Sequence, residues 1–191
     1  MTLLLLWIHE IRVLYRSSLG VQVTITIMKN LAAHALTGCD TVSSFSGKVK
    51  ILFWKGWHHS MEPWTIALGE TGDVATIVQT CLSFVSLLYN YENETDLSLM
   101  RADIFRNKLK GNRHLARKLL SMPTILPSFE AHCLRAHFQV SLWKAAGQST
   151  YPAIDPLQYG WEISGTTLLP KKCPEDQQPT PKLSKMHLGT N

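Results

Sequence analysis

Asp40 combines a residue type and a setting that could carry specific chemistry. It follows an apolar segment, residues 31–36, and a glycine, Gly38. A carboxylate presented directly after an apolar element is a usual way to hold Mg²⁺, because this hard cation prefers carboxylate oxygens and retained waters. The alternative is an ordinary turn aspartate whose side chain accepts the N–H groups of Val42 or Ser43. Asp40 is therefore a candidate metal ligand with a purely structural alternative.

A short basic turn follows this aspartate. Gly47 is succeeded by Lys48 and Lys50. A Gly-Lys turn that opens a helix can offer backbone N–H groups and ammonium charge to a phosphate. These three residues are candidate phosphate contacts, and the alternative is a solvated helix start.

A second basic feature lies between residues 101 and 118. It contains seven basic side chains against one acid, a net charge of +6. Such a cluster could contact a phosphate backbone without reading base sequence, although a solvated helix face has the same composition. The candidate contacts are Arg101, Arg106, Lys108, Lys110 and Arg113.

The run from 34 to 50 resembles the signature HALTGCDT…SxFxGKGK of a group of animal proteins derived from mobile elements. The core of that group is similar to the PIN-like fold of flap endonucleases. The resemblance covers residues 31 to 165 approximately and includes the segment RAHFQVSLWK, 135–144. It implies that Asp40 stands at the position of a metal-binding aspartate and that 47–50 corresponds to a hairpin that grips DNA. It also implies that this chain is a truncated member of the group.

Two departures from the family signature weaken what the resemblance implies, the first for catalysis and the second for the grip on DNA. Glu10 and Asp40 are the only acids among residues 1–61, whereas two-metal hydrolysis of a phosphodiester needs several converging carboxylates. Val49 replaces the second glycine of the signature, and a β-branched residue resists the positive φ that brings backbone close to a phosphate. We therefore expect no nuclease activity, and no cofactor unless an ancestral Mg²⁺ site survives at Asp40.

The remaining activity expected is weak, salt-dependent binding to a DNA or RNA backbone. Two alternatives stay open. The chain could be a helical protein-interaction module, or a non-functional fragment of a mobile-element-derived gene that leaves sheet edges and apolar surface unpaired.

The elements that position these residues are predicted to be mainly α-helical with a few strands. The alternation of Val, Thr and Ile over 21–27 predicts a strand, and the apolar run 3–8 fits a strand or a buried helix. In light of the resemblance, these strands would be the remnant of an α/β PIN-like domain. A small hairpin is predicted over 160–168.

Three helices are predicted from capping residues and apolar spacing. Asp73 caps the first, and Asp96 caps a second that runs to about residue 110. Ser128 opens a long helix to about residue 146. Its apolar residues recur at spacings of four and three, which indicates one buried face: Phe129, Cys133, Ala136, Val140 and Trp143.

Composition sets the domain limits. The 191 residues are 45% hydrophobic and 17% charged, which fits one folded domain with a tail. The net charge of +5 fits an anionic partner such as nucleic acid, and it also fits many proteins with no such partner. We expect a helical domain over 1–147, a loop or hairpin extension over 148–170 and a disordered tail over 171–191. The four cysteines have no zinc-ligand spacing, so free thiols and an intracellular location, nuclear or cytoplasmic, are expected. The opening apolar run is too short to span a membrane.

Overall fold

The computed structural model describes residues 20–45, 68–70, 72–91, 94–109, 122–146 and 153–173, with side chains omitted at 20–26, 108 and 109. The prediction for 3–8 lies outside these residues. The described chain is mostly helical, with one two-stranded antiparallel sheet. Its elements are α1 (Gly20–Leu36), α2 (Val74–Leu88), α3 (Leu97–Asp103), a π-helix (Ile104–Leu109), α4 (Leu126–Ala145), a 3₁₀ turn (Pro156–Gln158), β1 (Trp161–Ser164) and β2 (Thr167–Pro170).

The strand predicted over 21–27 is wrong, because these residues form the first part of α1. The alternation of β-branched residues spans only seven positions. From Ile27 onward, burial at Ile27, Leu31, Ala35 and Leu36 follows the helical period instead. The buried alanines Ala32, Ala33 and Ala35 belong to the same helix, which packs against α4. Tertiary packing therefore outweighs the local β propensity.

The capping predictions for α2 and α3 are confirmed. The Asp73 carboxylate accepts the Thr76 N–H at 3.0 Å, and the Asp96 carboxylate accepts the Ser98 and Leu99 N–H groups at 2.7 and 3.1 Å. Each satisfies backbone donors that a helix N-terminus leaves without an intrahelical partner. The helix that Asp96 caps was predicted to run to about residue 110. Instead α3 ends at Asp103, and the chain continues as a π-helix from Ile104.

Helix α4 packs against both α1 and α2. The four apolar residues Phe129, Cys133, Ala136 and Val140 are fully buried, which confirms the predicted face, and Trp143 is partly buried at its edge. The helix begins at Leu126, two residues before Ser128, with Pro127 in its first turn. Proline is compatible with that position because its missing N–H would have no partner there.

The predicted hairpin is confirmed by β1 and β2, which pair with Ile163 opposite Leu168. The hairpin and the 3₁₀ turn before it are fixed to α4. Gly160 (φ +76°) lies so close to the helix that an added Cβ would sit 2.6 Å from the Ala131 carbonyl oxygen. The Arg135 guanidinium donates to the Gly160 carbonyl at 3.1 Å, and the Lys171 N–H donates to the same oxygen at 2.9 Å. The start of the predicted tail is therefore bound to the hairpin.

Candidate functional site

The loop that carries Asp40, residues 37–45, is tightly folded against the end of α1. The Thr37 hydroxyl donates to the Ala33 carbonyl at 2.7 Å. Cys39 and Val42 exchange backbone hydrogen bonds, with the Cys39 N–H to Val42 carbonyl bond at 2.9 Å. Gly38 has a φ of +109°, and a Cβ there would lie 2.6 Å from the Ser44 Cβ. Only glycine fits this turn, so the Gly-Cys-Asp order of the motif serves the loop geometry.

His132 on α4 connects the end of α1 to this loop. Its Nε2 lies 2.9 Å from the Leu36 carbonyl oxygen, and its Nδ1 lies 3.2 Å from the Ser43 hydroxyl. A carbonyl only accepts, so Nε2 carries the proton and Nδ1 accepts from Ser43. Burial lowers the pKa of His132 to about 4, and the nearby Arg135 charge acts in the same direction. His132 is therefore a neutral anchor for the loop.

Two further residues of α4 reach the motif from the same side. The Thr41 hydroxyl donates to the Gln139 side-chain oxygen at 2.6 Å. The His34 and Trp143 rings stack with their centroids 5.6 Å apart. The segments 34–45 and 135–144, which carry the sequence resemblance, thus contact each other directly. The Thr41–Gln139 and His34–Trp143 contacts hold the two segments together beside the loop.

Asp40 itself lies exposed at the loop. Val42 donates its N–H to the Cys39 carbonyl, so of the two donors in the structural alternative, Val42 and Ser43, the first bonds elsewhere. Within the described ranges, no group of three or more His, Cys, Asp or Glu side chains could hold a metal ion. The hydroxyl of the adjacent Thr41 is engaged by Gln139. The described residues therefore place one exposed carboxylate at this loop, without a converging set of three or more metal ligands.

The predicted phosphate contacts are only partly within the described chain. Gly47, Lys48, Lys50, Lys110 and Arg113 lie outside it. Lys108 is described by its backbone alone, in the π-helix.

Arg101 has a structural partner. Its guanidinium donates to the Pro123 carbonyl, which ties α3 to the segment before α4. Burial lowers the pKa of Arg101, and the neighbouring Tyr89 opposes this shift. Because Arg101 is engaged in packing, it is a poorer phosphate contact than the sequence alone indicates.

Arg106 is exposed on the π-helix, and among the described residues it forms no ion pair. Asp103, the one acid of the basic cluster, is occupied by neutral donors. Its Oδ1 accepts from the Asn107 amide at 2.5 Å, and its Oδ2 accepts from the Tyr91 hydroxyl. The carboxylate therefore holds the turn together and leaves Arg106 available to an anion.

A second segment docks on the opposite side of α4. The Gly69 N–H donates to the His137 Nδ1 at 3.2 Å, and Lys144 pairs with Glu70 at 2.6 Å. Tyr159 of the extension stacks on His137 with centroids 5.6 Å apart. Burial lowers the pKa of His137 to about 4, and the Lys144 charge adds to this effect.

The sulfur chemistry is that of packed thiols. All four cysteines lie in the described residues, and none of them forms a disulfide there. Burial and the adjacent Cys81 raise the pKa of Cys133. Cys133 and His137 lie four residues apart on α4. Cys133 faces Cys81 in the core, whereas His137 accepts from Gly69, so these two side chains do not converge on a common ligand.

Sequence reasoning missed His132 and Gln139. Together with Trp143 they lie at positions i, i+7 and i+11 of α4, which is one helix face, and His137 and Lys144 form another i, i+7 pair. That spacing was visible in the sequence. What could not be read from it is which distant segment each face contacts.

No described helix has the length and apolarity needed to cross a membrane. The chain matches no protein-family model, no curated protein and no solved structure.

Proposed function

We propose that this chain binds the sugar-phosphate backbone of nucleic acid through the basic cluster of residues 101–118 and does not hydrolyse it. The observation that carries the proposal is the arrangement around Arg106. This guanidinium is exposed while the only acid of the cluster, Asp103, is occupied by Tyr91 and Asn107. An exposed cation that forms no ion pair among the described residues, in a segment of net charge +6, is suited to a polyanion.

The expected binding is electrostatic and largely indifferent to base sequence. Lys and Arg that neutralise phosphates release condensed counterions, so affinity falls steeply as salt rises. Lys48 and Lys50, in the basic turn that follows Asp40, are further candidate phosphate contacts. The chain's net charge of +5 favours the same class of partner.

The lack of hydrolysis is proposed from the carboxylates. Residues 1–61 contain two acids, Glu10 and Asp40, and among the described residues no group of three or more His, Cys, Asp or Glu side chains could hold a metal ion. We expect no cleavage of single-stranded, duplex or flap DNA with Mg²⁺ present. Cleavage by the purified chain that disappears in Asp40→Asn would overturn this part of the proposal.

Binding is tested by titrating labelled single-stranded and duplex DNA at low and moderate salt. The test variant is Arg106→Ala/Lys108→Ala. A Lys48→Ala/Lys50→Ala variant tests the basic turn that follows Asp40. Lys171→Ala/Lys172→Ala is the matched control, because it removes the same charge at exposed positions beyond the hairpin. We expect salt-sensitive binding that weakens in the 106/108 variant and changes little in the control.

Other outcomes identify the alternatives. Equal loss in the test variant and the control would mean that only net charge matters. No binding by a chain that unfolds cooperatively would reject the nucleic-acid role and favour a protein-interaction module, whose affinity would depend modestly on salt. A chain without a cooperative unfolding transition would be a non-functional fragment.

A further inference from the structure

An exposed aromatic residue lies directly beside the available cation. Phe105 is 51% exposed on the π-helix, although the residue before it, Ile104, is buried. Arg106 and Asn107, which follow, are also exposed. The π-helical turn therefore exposes an aromatic ring and a guanidinium at consecutive positions of the chain.

This turn is braced by side-chain hydrogen bonds. Asp103 and Asn107 flank the Phe105–Arg106 pair and are joined at 2.5 Å. The Tyr91 hydroxyl ties the same carboxylate to the segment that follows α2. A surface fixed in this way loses little conformational entropy on binding, because its backbone is already ordered.

The two side chains suit two parts of one ligand. An unpaired base can stack on an aromatic ring, and the adjoining phosphate can pair with a guanidinium. Base faces inside a duplex are covered by their neighbours and cannot reach a surface ring. A backbone contact alone would serve both forms of nucleic acid, whereas a stacking residue discriminates between them.

We infer that Phe105 is a base-stacking residue and that, with Arg106, it makes single-stranded nucleic acid the preferred ligand of this surface. The inference rests on the backbone binding proposed above. The charge of the segment indicates a polyanionic ligand. The exposed ring belongs to a segment with seven basic residues and one acid, Asp103, which is hydrogen-bonded to Asn107.

The test compares the binding of labelled oligothymidine and of a blunt duplex of equal length. The variants are Phe105→Ala, Phe105→Tyr and Arg106→Ala. Leu99→Ala is the matched control, because Leu99 is 60% exposed on α3 in the same helical region but is not aromatic. Thermal unfolding of each variant checks that these surface changes leave the fold intact.

For oligothymidine we expect Phe105→Ala to weaken binding about 5- to 100-fold, as loss of one stacked base predicts. Duplex affinity should be nearly unchanged, and Phe105→Tyr should retain most of the wild-type affinity. Arg106→Ala should reduce the salt slope by about one for both ligands.

Two results would overturn the inference in distinguishable ways. Salt-sensitive binding that is equal for both ligands and unaffected by Phe105→Ala would remove the stacking role and leave backbone binding intact. A folded wild-type chain that binds neither ligand would remove both proposals together.

Discussion

At the scale of single residues, Gly38 determines whether the Asp40 loop can form. Its φ of +109° lies in a region that residues with a Cβ rarely adopt, and Ser44 leaves no room for one. Gly165 at the hairpin turn has a φ of +62° with nothing within 4 Å of the added Cβ. The two glycines share a backbone requirement and differ in the space around them.

Gly38→Ala should therefore destabilise the protein by about 3 kcal/mol, from backbone strain together with overpacking. Gly165→Ala should cost only about 1 kcal/mol, because strain is its only penalty. Urea unfolding of both variants beside the wild type measures the difference. Equal losses would mean that the loop relaxes around the new methyl group.

At the scale of elements, the sequence predicts those helices and strands whose signals are local. Asp73 and Asp96 identify helix starts because the capping carboxylate and its N–H partners lie within three residues. The hairpin is similarly local. The strand prediction over 21–27 is wrong because the segment belongs to a longer helix, α1, which packs against α4 about one hundred residues later, and no local pattern contains that contact.

In the candidate site, too, local features could be predicted from the sequence and contacts between distant residues could not. The position of Asp40 after an apolar element is correct, since α1 ends at Leu36 and the loop follows. The roles of His132 and Gln139 could not be predicted, because each bonds a residue about ninety or more positions away. Likewise, the basic count could not separate Arg101, engaged with Pro123, from the exposed Arg106.

The local nature of the Asp73 cap gives a prediction for α2. Asp73→Ala removes the acceptor for the Thr76 N–H and hydroxyl, at 3.0 and 2.7 Å, and should lower the free energy of unfolding measurably, because the first turn of α2 loses its side-chain cap. Asp73→Asn keeps an acceptor and should cost much less. Denaturant midpoints of the two variants test this, and an equal loss in both would assign the effect to charge and not to the hydrogen bond.

At the scale of the whole molecule, α4 is the element on which the other described parts converge. His132 holds the loop after α1, His137 holds the segment 68–70, and Arg135 holds the hairpin extension. Each contact uses a polar side chain that is buried in the folded chain. The tertiary structure therefore depends on α4 keeping both histidines neutral.

This dependence makes stability sensitive to acid. The folded pKa of His132 is about 4, below its ordinary value of 6.5, because burial disfavours the charged ring and Arg135 repels it. His137 has a folded pKa of about 4, where burial and Lys144 outweigh the opposing Glu70. Between pH 6.5 and 4 the unfolded chain binds more protons than the folded chain. Stability is therefore complete above pH 6.5 and falls as pH decreases toward 4.

His132 alone should contribute a loss of about 3 kcal/mol across this window, since each pKa unit corresponds to about 1.4 kcal/mol. His132→Gln should be less stable than the wild type at pH 7.5, because one of two hydrogen bonds is lost, yet its stability should fall less on going to pH 4.5. Urea unfolding at both pH values measures the four free energies. A variant that lost as much stability as the wild type would show that His132 does not resist protonation, and the acid sensitivity would then belong to other groups.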